Sequence, residues 1–320
     1  MPVLNLAPPT PRLAKFQDPA LTGKGERRAA VALQGLQTLW INTGTLCNIT
    51  CANCYIESSP RNDALSYIST AEVTAFLDEA AARGEPLQEV GFTGGEPFMN
   101  PGLLAMLSDV LERPGLSALV LTNAMQPMRR HAAGLLALRD RFGPERLTLR
   151  VSIDHHDAGL HDLERGAGSF AKTLDGLAWL TREGFRLHVA GRLGFSQDGE
   201  AAMRAGYATL FARHGIAVDA QDPVALMLFP EMDERADVPE ISEACWGIIR
   251  KSPDSVMCAS SRMVVKRKGA ARPAVVACTL LPYDAQFELG ATLAEAARPI
   301  ALNHPHCARF CVLGGAACSR

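Results

Sequence analysis

Cys47, Cys51 and Cys54 stand at C-x3-C-x2-C spacing, directly after the strand-like run Thr38-Leu39-Trp40-Ile41-Asn42. A cubane iron–sulfur cluster normally takes four thiolates. Three at this spacing wrap one cubane and leave one iron without a protein ligand. That open position can chelate a substrate or cofactor, as an open catalytic metal site does. A closed zinc site prefers two C-x2-C pairs, which this spacing does not supply. Core thiols or a partial zinc site are the plainer alternatives for the three residues taken alone. Some forty residues on, Gly94-Gly95-Glu96-Pro97 follows a second strand-like run, Glu89-Val90-Gly91-Phe92-Thr93. Glycines there let the backbone approach a ligand closely, because no side chain intervenes.

Cys-x3-Cys-x2-Cys followed by Gly-Gly-Glu-Pro resembles the radical S-adenosylmethionine (SAM) superfamily. The likeness continues through Thr122-Asn123-Ala124, Ser152-Ile153-Asp154, His161-Asp162-Leu163-Glu164-Arg165-Gly166 and Gly168-Ser169-Phe170. This series is similar to the branch with the GTP-rearranging molybdenum-cofactor enzyme, the pyrroloquinoline-quinone enzyme and the SPASM/twitch enzymes. It covers residues 38–230, and the tail more loosely. The resemblance implies a 4Fe–4S cluster on Cys47, Cys51 and Cys54, with SAM chelated at the fourth iron. Reductive cleavage of SAM would yield a 5′-deoxyadenosyl radical that takes hydrogen from a substrate. It also implies a SAM shell of Gly94, Gly95, Glu96, Ser152, Asp154 and Arg165, with Tyr55 and Asn123 as weaker members. Arg165 corresponds to an arginine that pairs with the SAM carboxylate, which suits its planar fork. An electron donor such as flavodoxin or ferredoxin is implied as a partner.

The tail holds six of the nine cysteines: Cys245, Cys258, Cys278, Cys307, Cys311 and Cys318. Met263–Lys266 and Ala274–Ala277 flank Lys268-Gly269-Ala270, a hairpin signal. Cysteine, hairpin, cysteine, Leu289-Gly290, short helix and clustered cysteines resemble a twitch or SPASM extension. The Gly269-to-Cys278 gap is longer than that motif prescribes, and a full SPASM domain carries more cysteines. One auxiliary 4Fe–4S cluster is therefore expected, on Cys258 and Cys278 with two of Cys307, Cys311 and Cys318; zinc on the same thiolates is the alternative. Cys245, beside Trp246, reads as a buried free thiol. His155 and His156 read as exposed loop residues, and Arg262, Lys266, Arg267, Lys268 and Arg272 as a solvated basic hairpin.

The elements that must position these groups alternate. Strands are expected at 38–43, 89–92, 118–122, 147–153, 186–193 and 224–229. Helices are expected from Ser69-Thr70-Ala71-Glu72, a capping box, to about Arg83, from about Pro101, over 127–142, 170–182 and 199–214. Six strand–helix units imply a parallel sheet with helices outside, and the motifs fall at strand C-terminal ends, where (β/α) folds place their chemistry. Periodicity alone also allows an open doubly wound sheet. The resemblance implies an α/β chain with a partial (β/α)6 radical SAM barrel and a small C-terminal β-hairpin-plus-helix iron–sulfur domain. The expected divisions are an N-terminal arm (1–35), the barrel (36–235) and the auxiliary domain (236–320).

At 320 residues, 48% hydrophobic and 21% charged, the composition is that of an ordinary globular protein. A net charge of -2 argues against a strongly basic nucleic-acid binder. There is no apolar run long enough to span a bilayer, and residues 1–24 are rich in proline and lack a signal-peptide core. The expectation is a cytoplasmic chain that meets neither membrane nor nucleic acid. Thiols stay reduced in that compartment, so nine cysteines mean metal or redox chemistry rather than disulfides. The expected reaction is oxidation or rearrangement of a small molecule, with modification of a peptide or protein as the alternative. The short N-terminal arm, which leaves no room for a peptide-recognition domain, motivates that order.

Overall fold

The computed structural model describes residues 14–194, 199–230 and 237–315. After the two-residue strand β1 (Ala30–Val31), six strands alternate with helices. The strands are β2 (Thr38–Asn42), β3 (Glu89–Thr93), β4 (Ser117–Thr122), β5 (Leu147–Ser152), β6 (Arg186–Arg192) and β7 (Leu226–Phe229). Each pairs in parallel with the next, so spatial order follows chain order. This is a singly wound sheet rather than a doubly wound one. All five residues of β2 are buried, as expected of a strand covered on both faces.

The helices are α1 (Thr70–Ala82), α2 (Leu103–Glu112), α3 (Gln126–Arg130), α4 (Ala132–Phe142), α5 (Ala158–Arg165), α6 (Ser169–Arg182) and α7 (Glu200–His214), with a short α8 (Cys245–Ile249) later. The capping box forms as read: Ser69 Oγ accepts from the Glu72 N–H, and Glu72 reaches back to the Ser69 N–H. The helix expected over 127–142 is two. His131 ends α3 and begins α4, with its Nε2 3.2 Å from the Phe98 carbonyl oxygen. The α5 helix was not foreseen. Its start is fixed by Asp157, whose carboxylate accepts from the Leu160 N–H.

The tail hairpin is formed by β8 (Ser261–Val265) and β9 (Ala274–Val276), antiparallel, with β10 (Glu288–Gly290) beyond them. It extends the main sheet, because β8 also pairs in parallel with β2. The nine-stranded order is β10-β9-β8-β2-β3-β4-β5-β6-β7. A last short strand, β11 (Ile300–Ala301), pairs with β1, and a π-helix spans Cys307–Leu313.

Two readings of side chains are corrected. The basic hairpin is solvated only in part: Lys268 and Arg272 are exposed, but Lys266 and Arg267 are half-buried and Arg262 is buried. Arg262 is 1% exposed and donates to the carbonyls of Cys258, Ser261, Ala296 and Arg298. Lys266 pairs with Glu72, Arg267 with Glu288 and Lys268 with Asp63. His155 is buried rather than exposed, its ring 4.3 Å from that of His156. His156 packs against α7, where Gly206 makes room; a Cβ there would meet its Nε2 at 2.2 Å.

Candidate active site

The three N-terminal cysteines line one cavity at the C-terminal ends of the parallel strands. Thr93, Thr122, Ser152, Arg192 and Phe229 bring β3, β4, β5, β6 and β7 to the same space. Residues from five successive strands can face one cavity only if the sheet curves around it.

The loop carrying the cysteines is held at several points. The Cys47 N–H donates to the Ser59 carbonyl, the Ala52 N–H to the Glu164 carbonyl and the Ser58 N–H to Cys54 Sγ. Glu164 does most of the clamping. Its carboxylate accepts from the Asn53 backbone and side chain, both at 2.8 Å, and pairs with Arg192 at 3.0 Å. Glu164 is 3% exposed and lines the cavity. Burial pushes the Cys47 thiol up to about 12 and the Cys51 thiol to about 11. Both are protonated in the metal-free chain, and binding a metal through them would release those protons.

Gly94 and Gly95 line the cavity, and their glycine requirement has a further source. A Cβ on Gly94 would meet the Gly44 carbonyl oxygen at 2.4 Å, and one on Gly95 would meet that of Leu46 at 2.1 Å. The Gly94-Gly95 turn packs backbone to backbone on the start of the cysteine loop. Gly94 also has φ +135°, a conformation that side chains disfavour.

Glu96 sits behind the cavity wall. It is 2% exposed and accepts from Thr122 Oγ1 and from the Asn123 and Phe98 N–H groups. Burial raises its pKa to about 7, against the lowering effect of those donors. It anchors Asn123, whose Nδ2 donates to Asn48 Oδ1 at 2.9 Å and lies 4.0 Å from Cys47 Sγ.

Ser152, Asp154 and Arg165 line the opposite side. Arg165 Nε and Nη2 pair with both oxygens of Asp154, at 2.5 and 3.1 Å. Burial alone would raise the Asp154 carboxyl; the Arg165 guanidinium outweighs it and holds Asp154 below the usual carboxylate range. Tyr55, 37% exposed, stands at the rim. All the expected SAM-shell residues except Glu96 therefore meet at one cavity. Sequence reasoning missed Glu164, Arg150, Arg192, Leu280 and Phe310, which also line it. Of these only Glu164 carried a signal, its place beside Arg165.

A second, smaller cavity is lined by Cys258, Cys278, Cys307 and Cys311, with apolar neighbours such as Met257, Leu281 and Phe287. Burial pushes the Cys258 thiol up to about 11 and raises Cys307 well above its ordinary value, with Cys278 and Cys258 adding to the latter. Cys318 lies outside the described residues. Cys245 lines neither cavity; its Sγ accepts from the Ser242 N–H. Among the described residues, no three His, Cys, Asp or Glu side chains close on one point as they would around a single ion. The thiols stand around cavities instead.

The two cavities share a wall. Cys278 and Leu281 face the smaller one while Leu280 faces the larger; Cys307 and Cys311 face the smaller one while Phe310 faces the larger. Phe310 stacks on Phe229 with ring centroids 5.4 Å apart.

A sequence model of the radical SAM superfamily matches residues 41–202. That is half of the chain, and the chain belongs to this superfamily. Its cofactors are accordingly a 4Fe–4S cluster and SAM, and the three thiols, glycine turn and Asp154–Arg165 pair around one cavity fit them. The antilisterial bacteriocin subtilosin biosynthesis protein AlbA of Bacillus subtilis (strain 168) is 33% identical over 145 residues, which is 45% of this chain and 30% of AlbA. GTP 3′,8-cyclase of Rhodococcus opacus (strain B4) is 30% identical over 180 residues, 49% of this chain and 51% of that enzyme. The matches thus span 30% and 51% of these relatives' lengths. Among solved structures, Streptococcus suis SuiB bound to S-adenosylmethionine superposes with a TM-score of 0.57 at 11% identity, covering 80% of this chain and 63% of SuiB. That likeness supports the fold, a partial barrel of the radical SAM type. No helix among the described residues is long and apolar enough to cross a membrane.

Removing the Arg165 side chain should cost both stability and ligand. Arg165→Ala leaves Asp154 buried without its main partner, a change that typically costs about 3–5 kcal/mol. The expected result is a lower urea midpoint and a loss of SAM affinity in equilibrium dialysis. Arg165→Lys should recover part of the stability but little of the affinity, because it keeps the charge and loses the fork.

Proposed function

We propose that this radical SAM enzyme carries out a net oxidation of an uncharged, largely apolar group, a peptide side chain being the best fit. In this reading Cys47, Cys51 and Cys54 hold three irons of the SAM cluster. When bound, cluster and SAM supply a carbon radical able to take a hydrogen atom from the substrate. Gly94, Gly95 and Asn123 would hold the methionine end of SAM, with Glu96 fixing the Asn123 backbone from behind. Asp154 holds Arg165 in place, and Arg165 would pair with the SAM carboxylate. Ser152 and Tyr55 contact the remainder. Glu164 and Arg192 hold the cysteine loop in place as SAM comes and goes.

Cys258, Cys278, Cys307 and Cys311 would hold a second 4Fe–4S cluster with every iron ligated by protein, able to take up one electron. A fully ligated cluster behind the Leu280–Phe310 wall has no position for the substrate to bind. This favours electron acceptance, and hence oxidation, over direct ligation or redox-neutral rearrangement.

The observation that carries the substrate class is the far wall of the larger cavity: Phe229, Pro230, Leu280 and Phe310. Of the three arginines lining the cavity, Arg165 pairs with Asp154 and Arg192 with Glu164, and Arg150 Nη2 lies 3.4 Å from His188 Nδ1. A polyanion such as a nucleoside triphosphate would find few uncommitted charges. A small molecule is the second reading, favoured by the match to GTP 3′,8-cyclases. The reduced, reconstituted enzyme should release 5′-deoxyadenosine faster with peptides bearing apolar side chains than with charged metabolites. Stimulation by nucleotides alone would overturn the peptide reading.

A further inference from the structure

The cysteine loop has two sides. One faces the SAM cavity. The other forms the edge of a broad surface groove lined by Asn48, Met99, Met125, Arg129, Arg130 and Lys172. Ile49, two residues after Cys47, lines both the cavity and the groove. The partition between them is therefore a single loop thick at the point where the loop carries its first cysteine. Asn48 spans the same partition, hydrogen-bonded to Asn123 on one side and in contact with Met125 Sδ on the other.

The charge of this groove differs from that of the whole chain. The chain is net -2. Arg129, Arg130 and Lys172 meet one acidic side chain in the groove, Asp175. Arg130 and Lys172 are exposed, and neither is in an ion pair among the described residues. Arg129 lies over the Trp179 ring, 4.4 Å from its centroid, which fixes its charge at the groove floor. Met99, Met125, Pro101 and Pro127 line the same groove and give it soft apolar surface suited to a protein partner.

We infer that this groove docks a small acidic redox protein, which delivers the electron that SAM cleavage consumes through the Cys47–Ile49 turn. The inference rests on the reading above that Cys47, Cys51 and Cys54 hold the SAM cluster. One electron passes inward and no atom is transferred; the carrier is oxidised by one electron. Two features make this face suitable. It reaches the cluster loop at Asn48 and Ile49 without crossing the substrate cavity. Its uncommitted cations complement an acidic partner, and such complementarity acts chiefly on encounter rate and orientation.

The test uses the reconstituted holoenzyme, with flavodoxin as the probe. Arg130→Glu with Lys172→Glu reverses two exposed charges that play no part in the SAM site. Binding of oxidised flavodoxin, read by fluorescence anisotropy and independent of turnover, should weaken by about tenfold or more at low salt, with the gap narrowing as salt rises. Flavodoxin-driven 5′-deoxyadenosine release should fall by a similar factor, while dithionite-driven release is unchanged. Arg213→Glu, on exposed α7 surface, should alter none of these. Unchanged flavodoxin binding in the double variant, or equal weakening by Arg213→Glu, overturns the docking surface. Loss of the dithionite-driven rate together with the flavodoxin-driven one would also overturn it, because the substitutions would then act on the site itself. A wild-type enzyme that cleaves no SAM even with dithionite overturns the reading of the three cysteines instead.

Discussion

Cys47→Ala, Cys51→Ala and Cys54→Ala together should abolish 5′-deoxyadenosine release while the chain stays folded and keeps its C-terminal thiol site. The expectation of an intact fold has a structural basis. The three thiols accept from the Ser58 N–H, from the Ile49 backbone and, at 4.0 Å, from Asn123 Nδ2. The loop is held chiefly by bonds that alanine preserves: Cys47 N–H to Ser59, Ala52 N–H to Glu164, and both Asn53 donors to the Glu164 carboxylate. Each substitution removes one sulfur, from a buried residue at Cys47 and half-buried ones at Cys51 and Cys54, and should cost on the order of 1 kcal/mol. Far-ultraviolet circular dichroism should therefore match wild type, and chromatography of the reaction should show no 5′-deoxyadenosine with dithionite. Retained cleavage would remove these cysteines from the SAM site.

Cys278→Ala with Cys307→Ala should have the opposite profile. Both thiols face the smaller cavity, on the far side of the wall made by Leu280 and Phe310. Their loss leaves the SAM cavity lined as before, so SAM cleavage should persist. Oxidised product, assayed with whichever peptide most stimulates the wild type, should fall at least about a hundredfold, equivalent to about 2.7 kcal/mol. Cleavage without product is the signature of an electron with nowhere to go. Product formed at the wild-type rate would leave the second thiol site a structural role only.

Some of this site was readable from residue order because its parts are local. Cys47, Cys51 and Cys54 fall within eight residues, and Gly94-Gly95-Glu96 is contiguous. The strand–helix alternation followed equally from short-range periodicity, and its boundaries agree with the observed strands to within two residues. The break at His131 was hidden, because the apolar pattern runs through it. Glu164 shows the other limit: a glutamate on a short helix gives no sign that it will clamp a loop 111 residues away. The shared wall was invisible for a similar reason. Leu280 and Phe310 read as ordinary apolar residues, and only the return of β8 to the side of β2 brings the tail against the SAM cavity. Arg262 was misread because a charged run at a hairpin is usually solvated; here four backbone carbonyls replace the water.

The glycine turn also changed meaning between sequence and structure. Sequence reasoning assigned Gly94 and Gly95 to ligand approach, and they do line the cavity. Their tightest contacts, though, are with the backbone of Gly44 and Leu46. The turn therefore sets the position of the cysteine loop as well as the edge of the SAM cavity.

The central claim is that one chain holds two clusters on two separate thiol sets. The most direct measurement is iron and sulfide per chain after anaerobic reconstitution, for wild type and for each cysteine variant above. The account predicts about eight irons in wild type and about four in either variant, as two independent cubanes require. About four irons in wild type, falling to none in the Cys47, Cys51 and Cys54 variant and unchanged in the Cys278 and Cys307 variant, would contradict it. The tail thiols would then hold no iron, and oxidation through a second cluster would have no acceptor.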